Sequence, residues 1–204
     1  MTASSAKASR TAYLTWMRAG TDRLLETVGR LEPSRFAEPS PLPGWTIGHL
    51  VAHLHYNACA LARLASWAAT GVRNPMYADA EQREQEISAG ATLPPAVLKE
   101  LVRESAAELD RLLSALTDGQ WASEVVTAQG RTVSAGEIPW LRVREVVVHG
   151  VDLAGDSWDQ VPEELLRALV FEIVDQRLSR GQAAALAGVL TGRSPAGGSL
   201  PPWL

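Results

Sequence analysis

Apolar residues at Tyr13, Leu14, Met17, Leu24, Leu25, Val28 and Leu31 recur every three or four positions and predict an amphipathic helix over residues 8–31. The Pro-rich stretch from Pro33 to Pro43 interrupts that pattern. Thr46 then offers a hydroxyl N-cap to a second helix running to about Ala69, and Gly71 is placed to end it. Residues 72–93 read as a loop with a short helix around Ala80 to Ser88. Leu93-Pro94-Pro95 opens a third long helix, to about Leu116, with Leu98, Leu101, Val102, Leu109, Leu112 and Leu113 on its inner stripe. Residues 118–138, with Gly119, Gly130 and Gly136, are irregular and leave room for a β-turn or short hairpin.

The segment from Pro139 to Ala154 supports two readings. Val146-Val147-Val148 favours a strand by propensity, whereas its length and its proline start favour a helix. Helix is the better choice, because three long amphipathic helices need a fourth to close their core. Further helices are expected from Pro162 to about Arg180 and from Gln182 to Leu190, before a Gly/Pro/Ser-rich tail beginning at Thr191. The expectation is an all-α chain with a bundle over residues 1–156 and a short helical segment and tail over 157–204.

Composition narrows the chemistry. The chain has 204 residues, 46% apolar and 21% charged, as in an ordinary globular protein. A net charge of −4 argues against phosphate-driven nucleic-acid binding, which needs a basic face. No apolar run approaches the roughly 20 residues that span a bilayer, so no membrane partner is expected. The N-terminal segment is polar and lacks a signal's apolar stretch, which points to the cytoplasm. The single cysteine, Cys59, excludes an internal disulfide framework and fits a reducing compartment. It also excludes cysteine-rich zinc sites, so any metal must rely on His, Asp and Glu.

The four histidines are His49, His53, His55 and His149. His49 and His53 are four apart on the second helix and can share a face, whereas His55 points elsewhere. Glu145 and His149 are also four apart and project side by side on a helix; on a strand they would still face the same way. An ionised Glu in an apolar segment needs a partner. A local ion pair with Arg142 is one solution. Metal coordination, with a second-helix histidine completing a His-His-carboxylate set, is the other. Such a set keeps positions open for a water, a thiolate or a substrate oxygen. Asp152 either holds the second ring nitrogen of His149 or is a solvated carboxylate at the helix end. His49 reads as a surface or supporting residue in the first turn, His55 as a packing residue and Cys59 as core. Most of the seven tryptophans read as packing, with Trp45 at a helix entry able to line a pocket mouth. Arg83, Arg142 and Arg144 read first as solvated or paired charges, and any of them could hold a substrate carboxylate.

Three stretches carry a resemblance: Leu42-Pro-Gly-Trp-Thr-Ile-Gly-His-Leu-Val-Ala-His53-Leu, then Pro75-Met-Tyr77 with Arg83 and Glu86-Ile87, then Arg142-Val-Arg-Glu145-Val-Val-Val-His149-Gly-Val-Asp152-Leu. With the closing Leu190-Thr-Gly-Arg193 and Pro202-Trp-Leu204, the chain resembles the mycothiol-dependent maleylpyruvate isomerases of the DinB-like metalloenzyme superfamily. The resemblance implies a DinB-like four-helix bundle whose metal ligands fall on His53, Glu145 and His149, and a substrate-side arginine at Arg83. It also implies mycothiol as cosubstrate. Zinc is the default ion for two histidines and a carboxylate, although nickel or iron suits the same donors. Isomerases of this family carry a longer C-terminal α/β domain than the 50 or so residues that follow Asp152 here. The expected partners are a small-molecule substrate and a low-molecular-weight thiol, in a monomer or homodimer. Three activities follow as expectations: cis–trans isomerisation of maleylpyruvate or a similar unsaturated acid, thiol S-transfer to electrophiles, or non-catalytic metal binding.

Overall fold

The computed structural model describes residues 3–155 and 158–193, with side chains from residue 9 onward. Four long helices make the bundle: α1 (Ala3–Arg30), α2 (Ile47–Thr70), α4 (Pro95–Ser114) and α6 (Ile138–Ala154), with α3 (Ala80–Ala91) laid against α2. A one-turn helix, α5 (Asp118–Trp121), precedes a small antiparallel hairpin of β1 (Glu124–Val126) and β2 (Thr132–Ser134), paired with Val125 opposite Val133. The Pro139 segment is helical, as the need for a fourth bundle member required. The closing elements α7 (Glu163–Ser179) and α8 (Ala183–Leu190) pack on each other. The chain divides into two compact units, Met1–Asp156 and Ser157–Leu204. The Pro202-Trp-Leu204 ending lies outside the described residues.

The helix ends follow from local chemistry. Thr46 caps α2 through its hydroxyl, and Gly71 ends the helix in the left-handed conformation at φ 73°, where a side chain would be strained. Gly155 ends α6 in the same way. Lys99 reaches from α4 to the main-chain carbonyls of Gly29 and Leu31, at 2.9 and 2.7 Å, and so satisfies acceptors left open where α1 stops.

Helix α2 is the axis of the bundle. Leu50, Val51, Ala52, Leu54, Ala58, Leu61 and Leu64 are all buried on it, because α4, α3 and α6 surround it. Truncating one of these leucines to alanine would remove about 2–5 kcal/mol of stability. Helix α1 approaches α6 closely at Gly20, where a Cβ would stand 2.8 Å from a methyl of Val146. Val146 and Val147 therefore serve helix packing, buried on the face that α1 covers, while Val148 is half-buried. Burial on that face outweighs their strand propensity.

Candidate metal centre

His53, on α2, is 5% exposed, and His149, on α6, is 2% exposed. Glu145 lies one turn before His149 and between the two imidazoles. Its Oε2 stands 2.8 Å from Nε2 of His53 and 3.4 Å from Nε2 of His149. The two rings meet edge to face with centroids 5.2 Å apart. One donor atom from each of the three residues lies within 4.8 Å of the other two. Donors around a tetrahedral ion with bonds of 2.0–2.1 Å are roughly 3.3 Å apart, so small adjustments would seat a cation among them. The set is two nitrogens and one carboxylate with no thiolate, chemistry suited to a borderline divalent ion with further positions open.

The two histidines are supported differently. Nδ1 of His149 is 2.8 Å from Oδ2 of Asp152, which fixes the ring and turns Nε2 toward Glu145. Nδ1 of His53 is buried without a hydrogen-bond partner among the described residues. That ring is held by packing instead, with the Trp45 ring 5.5 Å away.

The charges respond to this arrangement. Burial would raise the Glu145 carboxyl, but hydrogen bonds from His149 and His53 hold it well below the usual carboxylate range. Burial would lower His149, yet its bonds to Asp152 and Glu145 outweigh that and push it up to about 9. Burial lowers His53, and its bond to Glu145 only partly opposes the shift. In the metal-free protein the cation of the cluster is therefore a proton on His149. A divalent ion would displace that proton and take over neutralisation of Glu145.

Around the trio, Arg83 on α3 is half-buried, has no hydrogen-bond or ion-pair partner among the described residues, and acts electrostatically on both His53 and Tyr77. Tyr77, in the Pro75-Met-Tyr77 stretch, is a site neighbour that the sequence pattern does not single out. Burial pushes its phenol up to about 12, and the charges of Arg83, Glu86 and Glu145 all reach it. The strap carrying it is pinned at Met76. The Met76 carbonyl accepts from Arg63 at 2.5 Å and its sulfur accepts from the Ala128 amide at 3.2 Å. Nothing in local periodicity could have found this, because Met76 joins residues 13 and 52 positions away.

The remaining candidates fall elsewhere. His49 sits at the third position of α2, where its Nδ1 accepts from the Thr46 amide at 3.3 Å and completes a capping box. His55 is half-buried with Nδ1 3.0 Å from the Leu101 carbonyl of α4, a packing role. Cys59, expected in the core, is only half-buried, because it lies on the edge of α2 beside the His55 ring, 3.8 Å away. Arg142 forms no ion pair with Glu145; it is fully buried and bonded to α2.

A helical bundle that gathers two imidazoles and a carboxylate from two of its helices, with little access to solvent, has the build of a metal-site protein. The chain belongs to the mycothiol maleylpyruvate isomerase N-terminal domain family, whose profile matches residues 17–154. It is similar to a crystal structure of the mycothiol-dependent maleylpyruvate isomerase, at 43% identity and a TM-score of 0.81 over 84% of this chain and 72% of the other. A histidine-to-alanine mutant carrying the same enzyme name aligns at 43% identity and a TM-score of 0.78, over 80% of this chain and 69% of that one. Uncharacterized proteins from two strains of Mycobacterium tuberculosis are 32% identical over 145 residues. The match covers 68% of this chain but only 53% of those relatives, so the chain spans about half the length of the curated proteins it matches. No helix among the described residues is long and apolar enough to cross a membrane.

Proposed function

We propose that this chain holds a divalent metal, zinc by default, through His53, Glu145 and His149, and uses it with mycothiol to isomerise maleylpyruvate or a similar small cis-unsaturated acid. The observation that carries the reading is the convergence of those three donors within 4.8 Å, on helices that the isomerase family's domain spans. The first unit, 1–156, is the metal-binding bundle, and 157–204 is its short helical appendage. A reducing, cytoplasmic compartment is part of the same reading and agrees with the single cysteine.

When bound, the ion would supply the positive charge that lowers a thiol's pKa. Glu145 and the two imidazoles would hold that charge in place, and Asp152 keeps His149 in the orientation that leaves Nε2 available. Arg83, which has no hydrogen-bond or ion-pair partner among the described residues, fixes a substrate carboxylate beside the centre and stabilises enolate-like charge as it develops. Tyr77 remains protonated at neutral pH and can donate a hydrogen bond there. Addition of the thiol sulfur to the activated double bond leaves a single bond free to rotate. Elimination of the same thiol then gives the trans product, with no net oxidation and the cosubstrate regenerated.

The test is to incubate the metal-loaded protein with maleylpyruvate, with and without mycothiol, and to identify the product. Thiol-dependent appearance of the trans acid is expected, and Arg83→Met should lower kcat/KM by about 100-fold or more. Equal turnover without thiol would sink the mechanism. A stable thiol adduct would instead assign S-transfer, and the absence of any reaction would leave a metal-binding protein of another role.

A further inference from the structure

The two helices that carry the donors are joined by more than the donors themselves. Arg142 lies on α6 one turn before Glu145 and is 1% exposed. Its Nη1 crosses to α2 and donates to the main-chain carbonyl of Leu54 at 2.8 Å and to Oδ1 of Asn57 at 2.8 Å. Leu54 is the residue after His53. One buried nitrogen therefore ties the backbone beside one donor to the helix that carries the other two. The donors add a second link between the same helices, the 2.8 Å hydrogen bond between His53 and Glu145.

Packing alone does not explain an arginine here. A methionine would fill similar space with no desolvation penalty, and burying a guanidinium is unfavourable. Its Nε and Nη2 have no partner among the described residues, so the fork is only partly satisfied there. Burial draws its pKa down to about 10, with the charge of Glu145 the main opposing influence. What the arginine adds over an apolar residue is direction. Two hydrogen bonds fix the position of α2 along α6, whereas apolar surfaces can slide past one another. Metal sites are sensitive to such sliding, because donor distances must hold within about 0.2 Å.

We propose that Arg142 is a positioning residue for the metal centre: by clamping Leu54 and Asn57 to α6, it sets the offset between the helices and hence the spacing of His53 from Glu145 and His149. The inference rests on the metal reading above. It differs from the carboxylate-binding role open to this arginine from sequence, because its engaged nitrogen is spent on α2 and its remaining donors are closed to solvent.

Co2+ serves as the probe, titrated into the metal-free full chain while its visible absorption band and affinity are recorded, alongside the melting temperature. Arg142→Met removes the clamp, and Asn57→Leu removes half of it while leaving the arginine in place. Leu98→Ala, a buried truncation on α4, which carries no donor, is the control for general destabilisation. The clamp requires Arg142→Met to bind Co2+ about tenfold or more weakly with an altered band, Asn57→Leu to move the same way by less, and Leu98→Ala to keep both despite a lower melting temperature. Wild-type affinity and spectrum in Asn57→Leu and in any folded Arg142→Met would overturn the clamp alone. Should Arg142→Met fail to fold, Asn57→Leu decides the matter. Failure of the wild type to bind Co2+ would remove the metal reading itself, and the clamp with it.

Discussion

His149 and His53 face the same carboxylate but are built on different principles. On α6, His149 is gripped from both sides, by Asp152 at Nδ1 and by Glu145 at Nε2, and carries a proton in the metal-free state. On α2, His53 is neutral and, among the described residues, bonded only at Nε2, and otherwise held by burial and the Trp45 ring. The α6 half of the site is oriented by hydrogen bonds within one turn of helix. The α2 half depends on where the whole helix lies. The first can be written into a short sequence, whereas the second must be supplied by the bundle.

The largest effect should come from removing either donor. His53→Ala and His149→Ala are each expected to lose metal affinity by more than about 100-fold, read as metal content after dialysis against a buffered ion. Undiminished metal in both would end the proposed ligand set. Asp152→Asn tests the gripped half: it should weaken binding by about 10–100-fold without touching a donor atom. Trp45→Ala tests the packed half and should weaken binding by less than about tenfold, since a ring contact restrains orientation less than a charged hydrogen bond does. If Trp45→Ala proved the more damaging of the two, the contrast between the halves would be wrong.

The smallest effect is carried by one proton. His149 has a pKa of about 9 in the folded metal-free protein, against about 6.5 unfolded, so folding favours its protonated form. That contribution is complete below about pH 6.5 and is lost as pH rises through 9. His53, with its pKa lowered, contributes in the opposite sense and only near the bottom of this window, and it does so equally in both proteins. The melting temperature of chelator-treated protein should therefore fall more steeply from pH 6.5 to 9 than that of His149→Gln. Metal affinity should rise over the same range, because the ion competes with that proton. Parallel pH curves for the two proteins would show that Asp152 and Glu145 do not hold the proton.

Much of the fold was legible because helices announce themselves locally. The apolar periodicity of α1 and α4, the Thr46 cap and the Gly71 stop are short-range signals, and each element formed close to where they point. Boundaries moved where signals were weak: α3 continues to Ala91 rather than Ser88, and α4 stops at Ser114 rather than Leu116. The Val146-Val147-Val148 run read both ways, since three β-branched residues fit either a strand or a helix face covered by a neighbour. Within the site, the pairing of Glu145 with His149 is a consequence of spacing. The choice of His53 over His49 and His55 came from family resemblance, and its place beside Glu145 comes from the way α2 lies on α6.

The sequence by itself determined the helices, their caps and the i, i+4 and i, i+3 relations that place Glu145, His149 and Asp152 on one stretch of α6, because those depend on 3.6 residues per turn and on nothing further away. It also limited the donors to nitrogen and oxygen by offering a single cysteine. Only the tertiary structure decided that His53 meets Glu145 across 92 positions of chain, that Cys59 sits at an edge, and that Arg142 abandons the nearby carboxylate to bond α2. The first and last of those outcomes depend on how α2 lies against α6, a relation carried by buried contacts and hydrogen bonds between residues some 85–92 positions apart in sequence.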